Sequence, residues 1–406
     1  MNIETTTLSN GIRLIHVRCK GDVAYCGVMV NVGTRDELES ENGMAHLTEH
    51  ILFKGTEKRN YIQIINRIED VGGEMNAYTT KEETTIYALF LKRYLERAME
   101  LIADMIFNYK FDEHLLQKEK EVVADEIDSY TDNPSELILD DFEDELFAGH
   151  SLGRNTLGSK KILSKITVDA LKSFIARCYT TDEMVFYSMG EFSFERVEKL
   201  AQKIFGIYPS TQRMFKRTAP INYEPKTLTK HKATSQVHLT FGNRAYNAFD
   251  DKRYSFFLLN NILSKGNMNS RLNMALREKH ALVYSVESMY TPYSDVGNWN
   301  VYLGTDSQDV ELAMDLVHKE IDDLKSKKLS ASQLQKLKAQ WIAQMIIAGE
   351  NRENWLMGVV KQFMNTGKIE SKKEIESIVS AISENELQTV AEEVFDEGKF
   401  TYLYYR

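Results

Sequence analysis

Two histidines four residues apart frame a glutamate in the segment His46-Leu47-Thr48-Glu49-His50. On a helix, residues four apart lie on one face, one turn above each other. Two imidazoles so placed can hold one metal ion, and Glu49 points to nearly the same side. Catalytic zinc takes three protein ligands, keeps one position for water and lowers the pKa of that water towards about 7. A nearby carboxylate that does not itself bind the metal can take the proton and later hand it to a leaving amine. The spacing therefore predicts a metal-dependent hydrolytic site with Glu49 as base, short of one ligand.

These residues need a helix to carry them and strands to hold that helix. Residues 11–19 and 23–32 alternate or run apolar and β-branched, and read as strands joined by the turn Lys20-Gly21-Asp22. Gly33 to Asn42 reads as a polar loop, and Gly43 opens the helix of the two histidines, which stops at Gly55. A second helix, Tyr61 to Val71, closes on Gly72-Gly73. Glu74 to Thr80 and Thr84 to Phe90, rich in Thr, Tyr and β-branched residues, read as strands. Helices are predicted over Tyr94 to Phe107, Asp112 to Tyr130, Glu136 to Phe147, Leu163 to Cys178 and Phe194 to Phe205, with a strand at Met184 to Met189. Three of the five prolines, Pro209, Pro220 and Pro225, fall in 208–226, which reads as a linker between a domain of residues 1–207 and one of 227–406.

The second half repeats the first. His50 to Gly55 aligns with Asn261 to Gly266 at an offset of 211, Glu96 to Leu101 with Glu311 to Leu316 at 215, and Leu116 to Lys120 with Leu334 to Lys338 at 218. A slowly growing offset is what loop insertions between matched elements produce. The expected fold class is α+β: two homologous domains of about 200 residues, each a mixed sheet packed by helices. The repeat is also an internal control. His46, Glu49 and His50 correspond to Phe257, Asn260 and Asn261, so the fold does not require the histidines. Glu119 and Glu126, seven apart on one helix face beside Val122 and Val123, correspond to Leu337 and Gln344. Both carboxylates occur only in the copy with the histidines. One of them is the expected third ligand, and the spacing leaves open which. Glu113, Glu121, Asp125 and Asp128 on the same helix read as a solvated face.

Composition narrows the rest. A chain of 406 residues with 43% hydrophobic and 27% charged residues fits a soluble protein of two or three domains. A net charge of −10 without a long Lys/Arg run argues against nucleic acid, whose phosphates call for a basic face. The polar start Met1 to Thr6 lacks the basic and apolar regions of a signal peptide, and no apolar run of about 18 residues is present. No membrane span is therefore expected. Cys19, Cys26 and Cys178 fit neither a zinc knuckle nor a disulfide framework and read as reduced thiols, which points to a cytoplasmic location.

Several stretches together resemble the pitrilysin/insulinase family of zinc peptidases, in the short two-domain branch of bacterial homodimeric peptidases and mitochondrial processing peptidase. They are the H-x-x-E-H (inverzincin) segment His46 to His50; Gly72-Gly73-Glu74-Met75-Asn76-Ala77-Tyr78-Thr79; Glu119 to Glu126; Asp132-Asn133-Pro134 with Leu152-Gly153-Arg154; and Ser270-Arg271-Leu272 followed by Arg277-Glu278-Lys279 and Tyr284-Ser285. The resemblance covers essentially the whole chain. It implies zinc held by His46, His50 and Glu126, with Glu119 an acid supporting the site from behind. It implies that the Asn76-Ala77 segment pairs with a peptide substrate as an edge strand. It also implies that Arg277 and Tyr284 of the second, metal-free domain bind substrate and stabilise the oxyanion. Because one chain carries both half-sites, the expected partner is a second copy, in a homodimeric chamber. The alternative is a non-catalytic subunit, or one dependent on a different partner, in a heterodimer. The family usually carries Gly where Ala281 stands and frequently Pro where Ser151 stands. The glycine-rich loop of the non-catalytic mitochondrial subunit has no counterpart in the short segment Lys265 to Asn269.

Overall fold

The computed structural model describes residues 2–264 and 268–406; the comparison made at Lys265, Gly266 and Asn267 lies outside them. The first half runs β1 (Asn2–Thr7), β2 (Arg13–Arg18), β3 (Val23–Val30), α1 (Met44–Leu52), α2 (Tyr61–Glu69), β4 (Glu74–Thr79), β5 (Thr84–Leu91), α3 (Leu95–Phe107), α4 (Glu113–Thr131), α5 (Pro134–Leu146), α6 (Lys160–Leu163), α7 (Val168–Cys178), β6 (Met184–Gly190) and α8 (Phe194–Ile204). The second runs β7 (Thr227–Lys230), β8 (Val237–Ala245), α9 (Arg253–Ser264), a π-helical segment (Asn273–Glu278), β9 (Val283–Pro292), β10 (Gly297–Thr305), α10 (Val310–Ser326), α11 (Ala331–Ala348), α12 (Arg352–Thr366), α13 (Lys372–Ala381), α14 (Glu384–Val394) and β11 (Thr401–Tyr405).

The two sheets have the same topology. Their orders are β1-β2-β6-β3-β5-β4 and β7-β11-β8-β10-β9. Without β1, which the sequence did not predict, strand matches strand: β2 with β7, β6 with β11, β3 with β8, β5 with β10 and β4 with β9. In each sheet one parallel pair, β2 with β6 or β7 with β11, joins otherwise antiparallel neighbours. The duplicated α+β fold expected from the offsets is thus present in the hydrogen bonding.

Both faces of each sheet are covered, and this decides which helices belong where. Every residue of β6 is buried, as in a central strand packed on two sides. On β5, Ile86, Ala88 and Phe90 enter the core, while Tyr87 points to the opposite face. There its hydroxyl donates to Glu353 of α12 at 2.8 Å. The compact units are accordingly residues 1–129 with 154–218 and 352–368, and residues 130–153 with 219–351 and 369–406. α5 lies with the second sheet and α12 with the first. These two helices are counterparts in the repeat, Pro134 and Arg352 being 218 residues apart. A contiguous division at 207 and 227 describes the repeat; the compact units differ from it because each sheet covers one face with a helix from the other half.

Two local readings change and a third gains detail. The stretch from Leu163 to Cys178 is not one helix: α6 ends at Leu163, and α7 starts after Thr167, whose Oγ1 accepts the Ala170 N–H at 3.2 Å. The loop of residues 33–42 is polar, as read, and its first half is buried while Leu38, Glu39 and Ser40 are exposed. Thr34, Arg35, Asp36 and Glu37 are buried in it. Within 208–226, Arg217 is pinned to Asp36 at 2.7 Å and to Asn31 Oδ1 at 2.9 Å, so this part is a strap on the first unit. Ala281 holds φ +50°, the left-handed region that costs an L-residue about 1 kcal/mol and suits glycine. No helix among the described residues is long and apolar enough to cross a membrane.

Candidate active site

The site is built on the first unit, on α1, α4 and the edge strand β4. α1 begins at Gly43, whose φ of +95° suits glycine. A Cβ there would lie 2.8 Å from the Leu157 carbonyl oxygen. Gly43 offers the helix no side-chain cap. Instead the buried Glu37 carboxylate accepts the N–H groups of Gly43 at 3.0 Å and Ala45 at 2.7 Å. Burial pushes its carboxyl up to about 8, against those hydrogen bonds. Leu47, Ile51 and Leu52 bury one side of α1 in the core and turn His46 and His50 outward. Their rings meet edge to face with centroids 4.7 Å apart.

α4 brings up both carboxylates. His46 Nε2 lies 3.6 Å and His50 Nε2 3.5 Å from Glu126 Oε2. One potential ligand atom from each of His46, His50 and Glu126 lies within 4.8 Å of the other two. Two ligands about 2.1 Å from a tetrahedral zinc stand roughly 3.4 Å apart, close to the separations of Glu126 Oε2 from the two imidazoles. Glu119 stands behind, its Oε2 3.4 Å from His50 Nδ1 and its Oε1 3.1 Å from Lys54 Nζ. The two rings differ in protonation. Burial, with His50 adding to it, lowers His46 to about 4, leaving a neutral imidazole able to coordinate. Burial also works against the His50 cation, but the carboxylates of Glu119, Glu126 and Glu49 outweigh it and raise its pKa. Burial works against Glu119 ionisation, but His50 and Lys54 hold that carboxyl below its ordinary range. Of the two valines read as the buried flank of α4, Val123 is in the core and Val122 is 43% exposed.

Glu49 faces the same space without joining the ligand set. Its Oε2 accepts a 2.6 Å hydrogen bond from Thr79 Oγ1, at the end of β4. Burial raises its carboxyl pKa against that bond, which moves the group towards the range a general base needs. Asn76 and Ala77 lie on β4, the last strand of its sheet, and Asn76 Oδ1 accepts the Ala77 N–H at 2.9 Å. Between β4, α1 and α2 lies a cavity of about 270 Å³ lined by Glu49, His50, Phe53, Lys54, Tyr61, Ile64, Ile65, Glu69, Met75, Asn76 and Ala77.

Residues 15–160 match the profile described as insulinase (peptidase family M16), and residues 165–341 that described as the peptidase M16 inactive domain. An uncharacterized zinc protease of Bacillus subtilis is 30% identical over 397 residues, 97% of this chain and 96% of that one. The chain belongs to the insulinase family. The mitochondrial-processing peptidase subunit beta of Neurospora crassa is 27% identical over 96% of this chain and 84% of its own. A protease from Helicobacter pylori, 21% identical, shares the fold with a TM-score of 0.92 over 100% of this chain and 99% of that one. The inactive-domain match contains Phe257, Asn260 and Asn261, where the repeat puts neutral residues in place of His46, Glu49 and His50. Asn260 there is buried and donates to the Ser288 carbonyl at 3.1 Å, a packing role.

In this insulinase-family chain, Arg277 and Tyr284 belong to the second unit and are not among the residues gathered around His46, His50 and Glu126. Arg277 is exposed on the π-helical segment. Tyr284, on β9, is 64% exposed, with its hydroxyl 3.3 Å from Asp306 Oδ1. Three residues escaped the sequence reading. Lys54, four residues after His50, was legible from helical spacing. Thr79 sits in a quoted stretch, but nothing in the sequence marks its reach to Glu49. Glu37 has no sequence signal, because its partners are backbone groups six and eight residues on.

Proposed function

We propose that this chain is a zinc-dependent endopeptidase acting on peptides or unfolded segments. The observation that carries the reading is the convergence of His46, His50 and Glu126 on one point, with Glu49 and an edge strand beside it. His46, His50 and Glu126 hold the metal, which when bound supplies Lewis acidity to the carbonyl and the attacking water. Glu49 takes the proton of that water and delivers it to the leaving amine. Asn76 and Ala77 pair with the peptide backbone by strand addition, which fixes the scissile bond against the base. The adjacent cavity, with Phe53, Tyr61, Ile64, Ile65 and Met75 on its walls, receives an apolar side chain of the substrate. The expected result is stoichiometric zinc in purified protein and cleavage of a quenched peptide that stops with chelator and returns with zinc. Metal-free protein that cleaves at full rate would overturn the reading.

The oxyanion partners in this reading are Arg277 and Tyr284 of a second copy, which gives a homodimer with two equivalent sites. An inactive Glu49→Gln chain mixed with an inactive Arg277→Ala chain should then recover activity. Random pairing gives half mixed dimers with one intact site each, so about a quarter of the wild-type rate should return. Mixtures that stay inactive would favour the second reading, a chain dependent on a different subunit. The similarity to a mitochondrial-processing peptidase subunit supports that alternative.

A further inference from the structure

Resting on the peptidase reading, we infer that Thr79 is a positioning residue that orients the general base Glu49. Glu49 is carried by α1, and three side-chain torsions separate its carboxylate from the helix. Among the described residues, Thr79 Oγ1 is the one hydrogen-bond donor that reaches this carboxylate, at 2.6 Å to Oε2. Oε1 is left to receive the proton of the attacking water. The direction of the bond follows from its neighbours. Thr84 Oγ1 lies 3.4 Å from Thr79 Oγ1, but Thr84 commits its own proton to the Val32 carbonyl at 2.9 Å. With its proton committed, Thr84 Oγ1 could only accept from Thr79, but it is the farther acceptor; the Glu49 carboxylate, which has no proton to give, lies at 2.6 Å and takes the Thr79 proton.

Thr79 is itself firmly held. It pairs with Thr84 at the closed end of the β4–β5 hairpin, and the next residue closes the turn, with Thr80 N–H on the Glu83 carbonyl at 2.8 Å. The Thr80 carbonyl in turn accepts the Thr34 N–H at 3.1 Å. The hydroxyl that sets the base thus stands three and two residues beyond Asn76 and Ala77 on one rigid strand. Substrate register and base orientation share that strand, so a peptide paired along β4 meets a carboxylate already aimed by it.

Three variants test this in the full-length, zinc-loaded protein. Thr79→Val keeps the shape and removes the proton; it should lower kcat about 10- to 100-fold, the usual cost of losing such a supporting partner. KM for a quenched peptide and the zinc dissociation constant should stay within about twofold of wild type. Thr79→Ser restores the hydroxyl and should restore most of kcat. Peptide affinity, measured by calorimetry on Glu49→Gln and on Thr79→Val/Glu49→Gln, should be equal, since the strand edge is untouched. A Thr79→Val enzyme with wild-type kcat would overturn the inference, as would a fall in kcat matched by a fall in peptide affinity, or no recovery with Ser. If Glu49→Gln stays fully active or wild type is not zinc-dependent, the peptidase reading falls and this inference with it. If Glu49→Gln is dead while Thr79→Val is normal, only the inference falls.

Discussion

Replacing Glu49 by Gln should lower kcat about a thousandfold while the protein keeps its zinc. Positioned general acid–base groups contribute roughly 10²- to 10⁴-fold. An effect at least in the middle of that range is expected because, in the proposed mechanism, this one carboxylate serves both proton transfers. The substitution is close to isosteric. The amide oxygen can still accept from Thr79 Oγ1, so the side chain stays in place. What is lost is the basic oxygen. His46, His50 and Glu126 are untouched, and Glu49 lies outside their cluster, so metal binding should be within a few-fold of wild type. Elemental analysis and peptide turnover on the same preparation decide the matter. Zinc retained with activity gone supports the base; full turnover would remove Glu49 from the mechanism, and loss of zinc would make it a ligand.

Local chemistry made the ligand helix legible. Its start at Gly43, the histidine spacing and the stop near Gly55 are short-range signals, and α1 occupies Met44–Leu52. The hairpin of β4 and β5 was legible for the same reason. The third ligand was narrowed by the repeat to Glu119 or Glu126, since Leu337 and Gln344 replace both in the second copy. Periodicity could go no further, because residues seven apart share a face without sharing a depth. In the structure Glu119 has 6% side-chain exposure and Glu126 43%, and only Glu126 reaches both imidazoles. The exchange of α5 and α12 was not legible. It depends on which sheet face remains uncovered, a long-range property that neither helix's own pattern encodes. The burial of the run Arg35-Asp36-Glu37 was not legible for a related reason. Charged residues in a loop normally face water. Here Arg35 meets Glu82 at 2.7 Å, Asp36 meets Arg217, and Glu37 meets helix N–H groups, all from distant parts of the first unit or from backbone.

The two carboxylates of α4 should separate by the size and kind of damage their removal causes. In the proposed site Glu126→Ala takes away one of three protein ligands and should weaken zinc by about a thousandfold, in line with the share each ligand holds in the affinity of such sites. Activity should vanish at ordinary zinc levels and return only in part at high zinc. Glu119→Ala leaves all three ligands present. It removes the acceptor facing His50 Nδ1 and strands Lys54, whose ammonium lies 3.1 Å from Glu119 Oε1. The ring of His50 then loses its fixed tautomer, and the cost expected is about 10- to 100-fold in zinc affinity. Glu119→Gln separates charge from hydrogen bonding: its amide oxygen can still accept from His50, so it should bind zinc more tightly than Glu119→Ala. Competition with a chelator of known affinity measures all three. A larger loss from Glu119→Ala than from Glu126→Ala would exchange the roles. Equal small losses would mean that the histidines hold the metal with a ligand not on α4. The ordering matters because Glu119 joins His50 to Lys54, which also lies over the Tyr61 ring at 4.8 Å on the cavity wall. If Glu119 is the supporting acid, the same ion pair that orients a ligand also shapes the pocket beside it.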